Sequence, residues 1–175
     1  NTIDYPQALD GTLDLSDWDF AKNGPAKLDG EWDFYWQQLW EPLELEDQTL
    51  PEKRLITLPQ SWNGYVINGQ TLKGEGYATF RLKILLPEHE QAKAINLSSI
   101  NSSHKLWVNG HLLSTQGQVA AERSKSEPKY YPKIIPLALD NDSIELVIQV
   151  ANFHHRRGGI WQPITIGNAG QIMEM

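Results

Sequence analysis

Residues 152–163 read NFHHRRGGIWQP and set two histidines, two arginines, two glycines and a tryptophan side by side. Three kinds of chemistry could use such a set. A metal would take the imidazoles, an anion the guanidinium groups, and a sugar the indole face with nearby polar groups. The metal reading fits least. If the preceding strand continues, successive side chains point to opposite faces, so His154 and His155 diverge. Zinc asks for three or four nitrogen, sulfur or carboxylate ligands. The chain has five histidines and no cysteine, and His104 and His111 carry no ligand spacing. No metal site is expected there.

The anion reading uses more of the stretch. Arg156 and Arg157 offer planar forks that match a carboxylate or a phosphate. Gly158 and Gly159 let the backbone approach a ligand or adopt positive φ. His154 and His155 add donors that can titrate near neutrality. A uronic acid, a sialic acid or a small carboxylate suits this cluster. A plainer reading stands beside it: the arginines pair with the protein's own 22 acidic residues, and the glycines form a bend between edge strands.

Other residues could meet a ligand at the same rim. In QSWNGY (60–65), Trp62 either plugs the end of the fold or faces a ligand, and the plug is favoured. Tyr65, Tyr77 and Trp161 have amphipathic rings suited to a binding rim. Asn68 and Gln70 carry amides that can bond hydroxyls. Glu31 and Asp33, two apart, have the look of a catalytic carboxylate pair. On a strand, however, they share a face with Tyr35 and alternate with Trp32, Phe34 and Trp36. The aromatic face reads as a core wall, each residue contributing about 1.5–3 kcal/mol on burial. The carboxylates then belong to a solvated face. No set of nucleophile, base and oxyanion donors can be assembled, so the domain reads as non-catalytic.

The elements that must hold these residues are short strands. ATFRLKILLP alternates Phe80, Leu82, Ile84 and Leu86 with Arg81, Lys83 and Leu85. SIELVIQVAN alternates Ile144, Leu146, Ile148 and Val150 with Glu145, Val147 and Gln149. Further strands are expected at 27–36, 54–59, 94–100, 104–115, 133–139 and 161–167. Asn109-Gly110 between LWV and HLL predicts a tight hairpin, since type I′ turns need positive φ at both central residues. In that hairpin Leu106 and Val108 point one way and Trp107 the other. Residues 36–45 have room for a turn or two of helix until Pro42 interrupts. Residues 124–132 read as a long connecting loop. Eight or nine strands at this spacing predict an all-β sandwich or jelly roll with one short helix.

Composition narrows the function classes. The 175 residues carry a net charge of −7, which disfavours a nucleic-acid partner. Seven tryptophans suit either a core or sugar platforms. No run approaches the eighteen or so apolar residues of a membrane span. The chain starts at Asn1, so a trimmed or mature fragment is expected.

Several motifs in order resemble a known family. LDGEWDFYW (28–36), LPQSWNGY (58–65), GYATFRLKILLP (76–87), LWVNGHLLSTQGQ (106–118) and the run from Ile144 to Gly167 are similar to the sugar-binding jelly roll of family 2 glycoside hydrolases. The FYW and NFHHRRGG versions look closer still to the extracytoplasmic galactose-binding-like domain of bacterial membrane sensors. Those sensors include seven-transmembrane receptors with diverse intracellular signalling and related membrane cyclases and histidine kinases. The resemblance covers roughly residues 10–168. It implies a single galactose-binding-like β-sandwich over 1–175, cut from a longer membrane protein and held outside the cytoplasm by a following transmembrane region. The implied function is sensory recognition of a carbohydrate or small anionic ligand, with the rest of the receptor as partner and a homodimer as a further arrangement. Two alternatives stand: a non-catalytic carbohydrate-binding module of a glycoside hydrolase, and a protein docking or dimerisation domain. Related jelly rolls often hold a structural calcium through loop carbonyls and a carboxylate, for which Asp140 and Asp142 are the candidates; no other cofactor is implied.

Overall fold

The computed structural model describes residues 4–46, 52–88, 92–97, 100, 103–117, 119, 133–137 and 142–173. In chain order its strands are β1 (Thr12–Asp14), β2 (Ala26–Lys27), β3 (Gly30–Trp36), β4 (Arg54–Leu58), β5 (Gln60–Ser61), β6 (Val66–Ile67), β7 (Gln70–Thr71) and β8 (Gly76–Leu85). They continue with β9 (Lys93–Leu97), β10 (Ser103–Val108), β11 (His111–Gln116), β12 (Lys133–Leu137), β13 (Ser143–Asn152), β14 (Gly159–Ile160) and β15 (Ile164–Asn168). Nine of these have five or more residues, in line with the expected eight or nine. The connecting loop expected at 124–132, and Asp140, lie outside the described residues.

The two longest alternating segments make the spine. β8 and β13 pair antiparallel from Ser143↔Leu85 to Asn152↔Gly76. Ala78, Phe80, Leu82 and Ile84 on one, and Ile144, Leu146, Ile148 and Val150 on the other, are all fully buried. Around them a seven-stranded sheet runs β11-β10-β13-β8-β3-β4, with β1 joining β8 in parallel beyond the end of its pairing with β3. A four-stranded sheet, β12-β9-β15-β2, lies opposite. One continuous core joins the two inner faces, including Trp32, Phe34, Ile95, Leu97, Ile164 and Ile166. This is the predicted β-sandwich. Asn109 and Gly110 link β10 to β11 with φ of 49° and 82°, as the hairpin signal required.

Two expectations are corrected on the outer face of the large sheet, which is not open to water. Residues 37–46 cross it as a strap. The Trp40 amide donates to Thr79 Oγ1 at 2.9 Å, and Gln149 Nε2 donates to the Trp40 carbonyl at 3.0 Å. Tyr35, Leu45, Trp107 and Val147 form a second buried cluster under it. Trp107 does point away from Leu106 and Val108, yet it too is covered. The strap is not the short helix expected at 36–45. Gln37 turns the chain out of β3 at φ 56°, and only Glu44–Glu46 makes a single 3-10 turn. The one-turn helices lie elsewhere, at α1 (Phe20–Asn23) and α2 (Ala169–Met173).

The carboxylate pair is the second correction. Asp33 is 8% exposed rather than solvated. Burial pushes its carboxyl above the ordinary range, against the pull of Lys53, 3.5 Å away, and of Arg81. A side chain at Gly11 would collide with it. Glu31 Oε1 accepts the Asp10 amide at 3.0 Å. Glu31 therefore anchors the segment that leads into β1, and Asp33 is packed beneath Gly11 of that segment. Among the described residues, no helix is long and apolar enough to cross a membrane.

Candidate functional site

β13 ends at Asn152, and β14 begins at Gly159. The loop between them carries the histidines and arginines. It closes onto the end of the sandwich because β14 pairs with β5, Gly159 opposite Ser61 and Ile160 opposite Gln60. That pairing brings the QSWNGY segment beneath the loop.

Two asparagines pin the loop's backbone. Asn152, 1% exposed, donates through Nδ2 to the Gly74 carbonyl at 2.7 Å and to the His155 carbonyl at 3.0 Å. Its Oδ1 accepts the His155 amide at 3.2 Å. Asn63 reaches up from below. Its Nδ2 donates to the Arg156 carbonyl at 2.7 Å, and its Oδ1 accepts the Gly158 amide at 3.1 Å. The Trp62 amide then donates to the Gly158 carbonyl at 3.0 Å. An asparagine side chain can give to a carbonyl and accept from an amide at once, so one residue can hold two points of a loop.

Trp62 is the floor. It is 0% exposed, lies parallel to Phe80 with ring centres 6.3 Å apart and meets Trp36 edge-on at 5.0 Å. Its indole N–H donates to the Gly74 carbonyl at 2.9 Å. The plug reading therefore describes Trp62, and its ring has no face left for a ligand. The glycines follow from this. A Cβ on Gly158 would run into the Trp62 indole and the Gly74 carbonyl, and one on Gly74 into the Arg156 carbonyl. Gly158 thus lets the backbone approach the protein's own tryptophan rather than a ligand. Gly159 takes φ 90°, which favours glycine.

The loop's side chains remain outside this clamp. His154, Arg156 and Arg157 are exposed, and His155 is half-buried. Burial, and secondarily the neighbouring His154, hold the His155 imidazole below the ordinary histidine range. The Arg157 guanidinium lies over the Trp161 ring, 5.3 Å from its centre. Among the described residues Lys53–Asp33 and Arg81–Glu145 form ion pairs, and neither arginine of the loop joins them.

The remaining expected rim residues separate. Trp161 joins the loop through Arg157. Tyr65 is half-buried, with its hydroxyl donating to the Leu55 carbonyl at 2.8 Å and its ring edge-on to Phe34. It braces the core. Tyr77 is half-buried on the strap side of β8, alternating with core-facing Ala78. Asn68 makes a second tight turn at φ 51°, between β6 and β7. Among the described residues no three histidine or carboxylate side chains are grouped to hold a metal. His104 is buried and His111 exposed, and Asp142 is an exposed residue at the start of β13.

The sequence does not disclose that Asn63, Gly74 and Asn152 form a clamp. Asn63-Gly64 announces a turn, and that sufficed to explain the asparagine. No local pattern says that Gly74 and Asn152 meet.

No family model and no curated protein matches the chain. Solved structures do share its fold. The β-glucuronidase of Ruminococcus gnavus superposes with a TM-score of 0.57 at 14% identity, over 81% of this chain and 28% of that one. A β-glucuronidase from an uncultured Clostridium sp. gives 0.61 at 13% identity, over the same shares. The fold is that of a sandwich domain found within β-glucuronidases. The chain spans less than a third of the length of those enzymes, and identities this low speak for the fold alone.

Proposed function

We propose that this chain is a non-catalytic carbohydrate-binding domain that takes its ligand at the loop of residues 154–157. One observation carries the reading: among the described residues, two guanidinium groups stand outside any ion pair on a loop whose backbone is already fastened to the fold. A site held by packing and hydrogen bonds before the ligand arrives loses less entropy on binding. The fold shared with a part of β-glucuronidases supports a carbohydrate as ligand and a non-catalytic role beside a separate catalytic unit.

The test is a thermal-shift titration of the domain against a panel of neutral and acidic glycans. A true ligand raises the melting temperature with concentration, and the double substitution Arg156→Ala, Arg157→Ala abolishes the rise. If no glycan shifts the wild-type domain at millimolar concentration, the proposal is wrong.

The likeness of the FYW and NFHHRRGG versions to bacterial membrane sensors favours a second, finer reading. In it the domain sits outside the cytoplasm on a membrane receptor, alone or as a homodimer. The glycan signals by binding two receptor states with different affinity. Membrane fractionation of the full-length product tests this: recovery in the soluble fraction overturns it.

A further inference from the structure

Resting on that assignment of the loop, we propose that its ligand is recognised through a planar carboxylate, gripped edge-on by the Arg157 guanidinium where it lies over Trp161. Two features of the site favour this chemistry over a phosphate or sulfate ester.

The first is what the backbone offers. Phosphate sites commonly gather several main-chain N–H groups around a tetrahedral anion. Here the amides of His155 and Gly158 are taken by Asn152 Oδ1 and Asn63 Oδ1. Two of the loop's amides are thus withdrawn, and the exposed guanidinium groups are the charged donors that stand ready. The second is the posture of Arg157. The guanidinium carbon stands over the indole, 5.3 Å from its centre, and among the described residues no ion pair takes its N–H groups. A carboxylate, planar and two-pronged, matches the guanidinium edge with two parallel hydrogen bonds.

The carboxylate can belong to a uronate of a saccharide or to a small free acid, and the probes separate these sources. Calorimetric titration of the intact domain would use oligogalacturonate, the same oligosaccharide methyl-esterified, succinate and glucose 6-phosphate. Oligogalacturonate should bind, and the ester should bind at least about tenfold more weakly, since it lacks the charged fork acceptor. Arg157→Lys keeps the charge and removes the fork. It should weaken oligogalacturonate about tenfold while the unliganded melting temperature stays near wild type. If the ester binds as tightly as the acid, the carboxylate inference is overturned while the carbohydrate function survives. Tighter binding of glucose 6-phosphate than of oligogalacturonate also overturns it. Succinate binding without any saccharide supports the carboxylate grip and removes the carbohydrate. Silence from all four probes removes the inference.

Discussion

Asn63 holds Arg156 in place by its backbone, not by its charge. The Asn63 Nδ2 donates to the Arg156 carbonyl at 2.7 Å across 93 residues of sequence, while Oδ1 of the same side chain accepts the Gly158 amide. The guanidinium stays outside the clamp. Shape and charge are thus carried by different atoms of one loop, and they should separate under mutation.

Asn152 is the more deeply buried of the two clamps, and its removal should cost more. Asn152→Ala takes a partner from the His155 amide and from two carbonyls. Stranding buried polar groups typically costs about 1–3 kcal/mol each, although the Gly74 carbonyl keeps the Trp62 indole. Asn63→Ala, at an exposed residue, should cost about 0.5–1.5 kcal/mol. Urea denaturation of the two variants measures both. Equal losses would mean that burial does not set the difference.

Trp62 and Trp161 should behave as opposites. Trp62→Ala empties the floor of the loop and should cost about 3–5 kcal/mol. Trp62→Phe keeps an aromatic ring over Phe80 but removes the donor to Gly74, for about 1–3 kcal/mol. Trp161→Ala removes a half-buried ring and a stacked cation worth about 0.5–1 kcal/mol, so stability should hardly move while ligand affinity falls. Thermal melts with and without ligand read both effects. A Trp161→Ala protein that binds as well as wild type would remove the stacked pair from the site.

How far the sequence discloses this arrangement depends on the range of the forces involved. The sandwich is legible because burial acts along each strand. The alternation around Phe80 and Ile148 says which side is inside, and Asn109-Gly110 says where the chain reverses. Trp62 as a plug was visible for the same reason. The strap over Thr79 and Gln149 was not, because a face covered by a distant loop shows the same mixed residues as a wet one. Asp33 is hidden in the same way, by the Gly11 segment rather than by the strap. The loop's cationic character was plain from NFHHRRGG, but its clamp was not. It depends on contacts between residues 74, 152 and 156 that no periodicity encodes.

Gly158→Ala tests whether the loop's glycines serve the fold or the ligand. The added methyl meets the Trp62 indole and the Gly74 carbonyl, neither of which can yield without opening the clamp. Overpacking of this kind costs about 1–3 kcal/mol. The loss should appear in the unliganded protein. If stability is unchanged and only ligand binding falls, then Gly158 admits a ligand after all.

His104 should make the domain acid-sensitive. It is 1% exposed, with Nε2 3.3 Å from Ser114 Oγ, and Lys133 Nζ donates to the same Oγ at 3.3 Å. Lys133 comes from the edge strand of the small sheet and also reaches the Thr115 carbonyl at 3.2 Å, so the cluster ties β12 to β11. Burial, and secondarily Lys133, lower the His104 pKa to about 4 from the ordinary 6.5. The folded state thus keeps His104 neutral while the unfolded chain takes up a proton. Stability contributed at this position is fully present above pH 6.5 and declines as pH falls toward 4, by on the order of 2–3 kcal/mol. Asp29 and Asp33, whose carboxyls burial pushes upward, act in the opposite sense, because their cost fades on protonation. Comparison with His104→Gln cancels them. Urea denaturation of both proteins from pH 7 to 4 should show the variant losing less stability than wild type. A wild-type–variant difference that stays constant over that range would mean that His104 does not carry the acid response.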